Sequence, residues 1–139
     1  STVLDEHYKI LREELSPEMD HFEQLMFLNY KAHSFMENSI KVDLLASLYS
    51  TQLISKGDRS LLDQNREYYK LVASIIEEGQ KAGEINDSKS VSELVKYYSL
   101  CERALVTDWC LNRGSYSLAE YSKEYMPVMM NRFKEKRDS

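Results

Sequence analysis

Three histidines, two cysteines and several adjacent carboxylates are the reactive side chains whose spacing decides what chemistry this sequence can do. His7, His21 and His33 make no His-x-x-x-His pair, and the cysteines no Cys-x-x-Cys, so the spacings that set two metal ligands side by side are missing. Cys101 and Cys110 are separated by a span that, at about 100° per residue, puts them on opposite faces of one helix. They cannot bridge each other there, and two such thiols suit a reducing compartment. Glu13–Glu14 and Glu77–Glu78 are adjacent pairs that point about 100° apart on a helix, unlike a catalytic dyad. The sequence has no glycine-rich phosphate loop and no G-x-S-x-G elbow. No catalytic residue, metal ligand or cofactor is therefore assigned, and the expectation is a protein that is not an enzyme, with a site assembled from distant residues left open.

What remains is binding. Ten tyrosines combine an apolar ring with a polar tip. Tyr30, Tyr49, Tyr68, Tyr69, Tyr97 and Tyr98 fall on several helices, where they are either half-buried packing residues or the walls of a cavity between helices. Six methionines add adaptable surface, or simply fill gaps. The candidate ligand-binding set is Met26, Phe27, Tyr30, Tyr49, Tyr69, Tyr97, Cys101 and Asp108. Asp108 falls on an inward seam by periodicity and needs a partner there. A basic residue such as Arg103 or Arg132 is preferred over a ligand, because buried charges are usually paired. His33 reads as a hydrogen-bonded structural histidine, with a pocket wall as the alternative.

These residues need long helices to position them. With only 4 Gly and 2 Pro in 139 residues, the turns of an all-β protein are not available. The length fits one domain, residues 1–139, and 42% hydrophobic against 29% charged residues is the balance of a globular chain. No run reaches the roughly 18 to 20 apolar residues of a membrane span, and no signal peptide is visible, so a cytoplasmic location without membrane contact is expected. The net charge of −5 disfavours binding nucleic acid unaided. The one basic cluster, Arg132, Lys134, Lys136 and Arg137, suits a last helical turn, where cations complement the helix dipole.

Caps and breakers divide the chain into about six helices. The first runs to about Leu15 on the stripe Leu4, Tyr8, Leu11, Leu15, and starts inside its pattern without a cap, as in a piece of something longer. Ser16–Pro17 reads as N-cap and first helical residue of a second helix, apolar all round at 25–28 and running to about Asn38. A third covers Val42 to Ser55. A fourth runs from Ser60 to Gly83, with Tyr68, Val72, Ile75 and Ile76 buried. A fifth opens with the capping box Ser90–Glu93 and ends at Gly114. Its seam is Val91, Leu94, Tyr98, Cys101, Leu105 and Asp108, and a second stripe (Val95, Leu100, Ala104, Leu111) gives it two apolar faces, one for its own core and one for a second subunit. A sixth opens at Ser117–Glu120, with the stripe Leu118, Tyr121, Tyr125, Met129, Phe133 and a kink at Pro127.

The stretch Arg103-Ala104-Leu105-Val106-Thr107-Asp108-Trp109-Cys110-Leu111-Asn112-Arg113-Gly114, followed by Leu118 opening the next helix, resembles the junction of the last two helices in TetR-family C-terminal domains. Glu77-Glu78-Gly79-Gln80-Lys81-Ala82-Gly83-Glu84-Ile85 is similar to the end of that family's preceding helix. The likeness covers about the last 70 residues, an extent judged from helix order and these two motifs. It implies an all-α, TetR C-terminal-domain-like bundle whose last two helices form a four-helix bundle across a two-fold homodimer axis. Candidate dimer residues are Ala104, Trp109, Leu118, Tyr121, Tyr125, Met129 and Phe133. It also implies a small hydrophobic or cationic effector that shifts the spacing of two DNA-binding heads. The family's N-terminal helix-turn-helix is missing, so DNA contact is expected only through such a domain, and a segment of a larger regulator is favoured over a natural fragment. The competing expectation is a helical protein-interaction or scaffold module without a small ligand.

Overall fold

The computed structural model describes residues 12–39 and 66–135. These residues are helical, without a strand among them; one isolated antiparallel bridge joins Ile85 to Lys134. Residues 12–14 are helical, and among the described residues four helices follow: α1 (His21–Ser39), α2 (Arg66–Lys81), α3 (Val91–Leu111) and α4 (Leu118–Met130), the last running into a 3-10 turn at Asn131–Phe133. The expected third helix and the start of the fourth, with Ser60 and Tyr49, lie outside the described residues.

The helices close a ring: α1 packs on α2 and α4, and α3 packs on the same two from the opposite side. The apolar core fills the ring with Leu25, Leu28, Val72, Ile76, Leu94, Tyr98, Leu118, Met126 and Met130, each at most 1% exposed. Their 3–4 residue spacing is the amphipathic periodicity visible in the sequence.

The helix ends are fixed by specific acceptors. α1 begins at His21 rather than at Pro17, because Asp20 and Glu23 form the reciprocal box: Asp20 Oδ1 accepts from Glu23 N at 2.7 Å, and Glu23 Oε1 from Asp20 N at 3.3 Å. Ser16 instead makes a local turn with Glu18 N at 3.2 Å. Glu84 adds an acceptor for His21 N at 2.9 Å and also meets His21 Nδ1. The Ser90–Glu93 capping box forms as expected at α3. At α4, Ser117 Oγ accepts from Glu120 N, but the larger share of capping comes from α1: the Glu37 carboxylate accepts from Ser117 Oγ, Leu118 N and Ala119 N at 2.9–3.1 Å.

The two sequence motifs prove to be helix junctions. Gly79 lets the turn fold back on α2: a Cβ there would stand 2.4 Å from Ile85 Cδ1 and 2.9 Å from His21 Cβ. Gln80 Nε2 donates to Asn86 O and Lys89 O, and the turn then pairs with the segment after α4 through Asn86 N to Phe133 O (2.8 Å) and Glu135 N to Glu84 O (3.1 Å). Gly83 and Gly114 take φ of +73° and +66°, the left-handed conformation that ends helices. Trp109 is 4% exposed and donates through Nε1 to Tyr116 O at 2.8 Å, locking the α3–α4 turn.

Candidate functional site

All four buried polar residues among the described ones, Asn29, His33, Glu102 and Ser122, converge on one place at the centre of the ring. α1 supplies Asn29 and His33, one turn apart; α2 supplies Tyr68 and Tyr69; α3 supplies Tyr98 and Glu102, again one turn apart; α4 supplies Ser122. Glu102 is the hub. Its Oε2 accepts from Tyr68 Oη at 2.5 Å and from Asn29 Nδ2 at 2.9 Å, and its Oε1 accepts from Tyr69 Oη at 2.9 Å. Tyr98 Oη lies 2.9 Å from Tyr68 Oη and donates to Leu25 O at 3.2 Å. His33 Nδ1 is bonded to Ser122 Oγ at 2.7 Å, and its Nε2 stands 4.0 Å from Glu102 Oε2, too far for a hydrogen bond.

Burial sets the protonation states. Withdrawal from water pushes the Glu102 carboxyl up to about 6, against the opposing pull of donors led by Tyr68 and Asn29. The same desolvation drops His33 to about 3, so its imidazole is neutral around pH 7. Tyr68 and Tyr98 are pushed well above their ordinary range, by burial first and then by the nearby Glu102 charge, and so remain donors. Near neutral pH the cluster therefore holds an anion dissolved in neutral hydrogen-bond groups, an arrangement that burial disfavours unless donors satisfy it.

Among the ligand candidates, Tyr69 reaches this hub directly, and Cys101 is buried beside it in sequence on α3. Met26 packs against the core edge. Phe27 and Tyr30 lie on the outer side of α1 beneath Lys31 and Lys123, at 5.9 and 5.5 Å. Tyr97 is 37% exposed and donates to Met129 O, its ring edge-on to Phe133. Asp108 departs from the seam reading: it is exposed, accepting from Tyr116 Oη at 2.7 Å and from Asn112. From Leu105 the seam advances four positions to Trp109, not three to Asp108, because the indole buries far more apolar surface than a carboxylate.

Of the second stripe read on α3, Leu100, Ala104 and Leu111 are exposed while Val95 packs against the core, and α4 adds outward apolar residues. Leu100, Leu111, Tyr121, Tyr125 and Val128 are 46, 77, 39, 39 and 68% exposed, and Ala104 is exposed with them. Tyr116, Tyr121 and Tyr125 meet as tilted ring pairs with centroids 4.8 and 4.5 Å apart. Trp109, Leu118 and Phe133 instead belong to the core, and Met129 is half-buried, so the proposed dimer stripe on α4 is rotated from the one read by spacing. Its members Leu118 and Phe133 face inward because Leu118, Ser122, Met126 and Met130 form the buried row. Sequence reading passed over Glu102, although it follows Tyr98 by four positions and precedes Leu105 by three, which marks an ionisable residue on the seam. Asn29, Tyr68, Tyr98 and Ser122 were likewise not selected as site residues, and Asn29 and Ser122 carry no sequence signal beyond their phase.

Among the described residues no group of three or more His, Cys, Asp or Glu is placed to hold a metal, and no helix is long and apolar enough to cross a membrane. No family model matches the chain, and neither the curated proteins nor the solved structures yield a match to it.

Proposed function

We propose that this chain is the effector-sensing and dimerisation part of a TetR-type transcription regulator, about six helices in full, acting as a cytoplasmic homodimer and contacting DNA only through an N-terminal helix-turn-helix outside this sequence. The observation that carries the reading is the double-faced character of α3: it directs Tyr98, Glu102 and Leu105 into the core and Leu100, Ala104 and Leu111 outward. An exposed apolar strip of this kind, continued by Tyr121, Tyr125 and Val128 on α4, suits a second copy of the chain. The buried Glu102 cluster supports the sensing half, since a few convergent polar groups in an apolar surround are the usual chemistry of a small-molecule site. The effector is a small hydrophobic or cationic compound that binds the DNA-competent and DNA-incompetent states unequally. The same exposed strip favours, as the second reading, a helical module that binds another protein. Light scattering separates the two: the proposal expects a dimer, and a strict monomer at micromolar concentration refutes it. A thermal-shift screen of hydrophobic and cationic compounds tests sensing, which fails if none stabilises the protein.

A further inference from the structure

The outward side of α3 has a repeat of its own. Tyr97, Leu100, Ala104, Thr107 and Leu111 are all exposed and follow one another at steps of three, four, three and four. That is the spacing of the a and d positions of a coiled coil, the seam by which one helix packs along another. It is separate from the inward row of Leu94, Tyr98, Cys101, Leu105 and Trp109, which lies in the core. With Tyr97, Ala104 and Leu111 at a and Leu100 and Thr107 at d, Arg103 falls at g and Asp108 at e. Both charged residues are exposed. At about 100° per residue they stand roughly 140° apart, so they border the seam on its two sides and do not pair within one chain. Asp108 is held in place, its Oδ2 accepting from Tyr116 Oη at 2.7 Å and from Asn112 Nδ2 at 3.3 Å.

Charge decides which way a second copy lies on this seam. In a parallel pair a g side chain faces the e side chain five positions on in the other helix; in an antiparallel pair g faces g and e faces e. Five positions separate Arg103 from Asp108, so a parallel copy makes two reciprocal pairs of opposite charge. An antiparallel copy sets Arg103 among the g residues Lys96 and Cys110, and Asp108 beside Cys101, with no opposite charge on either flank. Ala104 and Thr107, small residues between Leu100 and Leu111, let the two axes approach at the middle of the seam. We propose that the second copy lies parallel and in register on α3, each seam residue against its twin, with Arg103 paired to the partner's Asp108 on both flanks. The inference rests on the homodimer reading and specifies the orientation of its two chains.

The test oxidises Leu100→Cys and Leu111→Cys separately in the whole chain, with the wild type, whose Cys101 is buried and Cys110 half-buried, as control. Both variants are expected to run as covalent dimers on non-reducing gels. The two positions lie about 16 Å apart along the helix, so no antiparallel arrangement brings both within the roughly 4.4 to 6.8 Å between Cα atoms that a disulfide requires. Charge is tested by mixing. Arg103→Asp makes a chain acidic on both flanks, and Asp108→Arg a chain basic on both. Each alone should dimerise about tenfold more weakly than wild type in sedimentation velocity, as two exposed pairs turn from attraction to repulsion. The mixture should recover the wild-type affinity, and added salt should narrow these differences. Should Asp108→Arg fold poorly without its bond to Tyr116, Asp108→Asn keeps that acceptor, removes the charge and should weaken the dimer about threefold. A wild-type monomer overturns the homodimer reading itself. A wild-type dimer in which only one cysteine variant or neither cross-links, or in which mixing yields no heterodimer, overturns the parallel register alone and leaves that reading standing.

Discussion

Replacing Glu102 by Gln should stabilise the protein at alkaline pH and leave it unchanged in mild acid. The carboxyl titrates near 6 in the fold against about 4.5 in the unfolded chain. A group whose folded pKa is raised favours the fold while protonated, so its contribution is intact below about 4.5 and is lost as pH rises through 6. At about 1.4 kcal/mol per pH unit, the 4.5-to-6 interval is worth about 2 kcal/mol by pH 8. Glutamine avoids this loss at little geometric cost. Its carbonyl oxygen can take the Oε2 position and keep Tyr68 and Asn29 as donors, while its NH2 meets the Tyr69 hydroxyl, which rotates to accept. His33 complicates a wild-type curve read alone, because its pKa of about 3 makes stability fall as pH drops below the ordinary 6.5. Both proteins carry His33, so the difference between their curves isolates Glu102. Urea melts from pH 4.5 to 8 should show the variant gaining about 2 kcal/mol over wild type across that range, roughly 6 to 12 °C in melting temperature. A flat difference, or a variant less stable than wild type at pH 8, would refute the claim that burial dominates the Glu102 environment.

Three further outcomes follow from the packing. Gly79→Ala should destabilise by about 1 to 3 kcal/mol in urea melts, because the new methyl meets Ile85 and His21 inside 3.0 Å and the clash outweighs the helix-propensity gain of about 1 kcal/mol; a more stable variant would disprove the close approach. Glu37→Ala should cost about 1 to 2 kcal/mol by leaving the first donors of α4 to water, and added salt should narrow the difference. Leu111→Glu with Val128→Glu, both at strongly exposed positions, should convert the proposed dimer to a folded monomer in sedimentation velocity with an unchanged helical spectrum; a dimer that persists places the interface elsewhere.

Helix identity was legible where local signals agree with packing. Ser90–Glu93 and the helix-ending glycines 83 and 114 act as their types dictate. The errors came from competition that sequence does not display. Ser16–Pro17 is a sound start signal, but Asp20–Glu23 sits beside Glu84, distant in the chain, and the helix begins where three acceptors are available. Asp108 and Trp109 satisfy the seam spacing almost equally, and burial of the indole decides between them. The polar hub was hidden for a related reason. Glu102 becomes a site residue only when α1 and α2 bring Asn29, Tyr68 and Tyr69 to it from positions far away in sequence, and its own helix reads the same whether it is capped by water or by tyrosines.

The placement of that hub constrains how sensing would work. Glu102 points inward and Arg103 and Ala104 outward from one turn of α3, so the buried anion and the proposed subunit face share a rigid element. A ligand that neutralises Glu102 changes the interaction of α3 with both α1 and α2, through Asn29 on one and Tyr68 and Tyr69 on the other. The coupling is only as large as the difference in that neutralisation between the two arrangements of the helices. Reversing a 1:99 population to 99:1 takes about 10⁴-fold differential affinity, roughly 5.5 kcal/mol. A titration worth about 2 kcal/mol covers less than half of that on its own. A two-fold dimer with one hub in each subunit doubles this to about 4 kcal/mol, still about 1.5 kcal/mol short of a full reversal, so an effector acting through Glu102 should shift the dimer further than a dissociated monomer but reverse it only with added contacts.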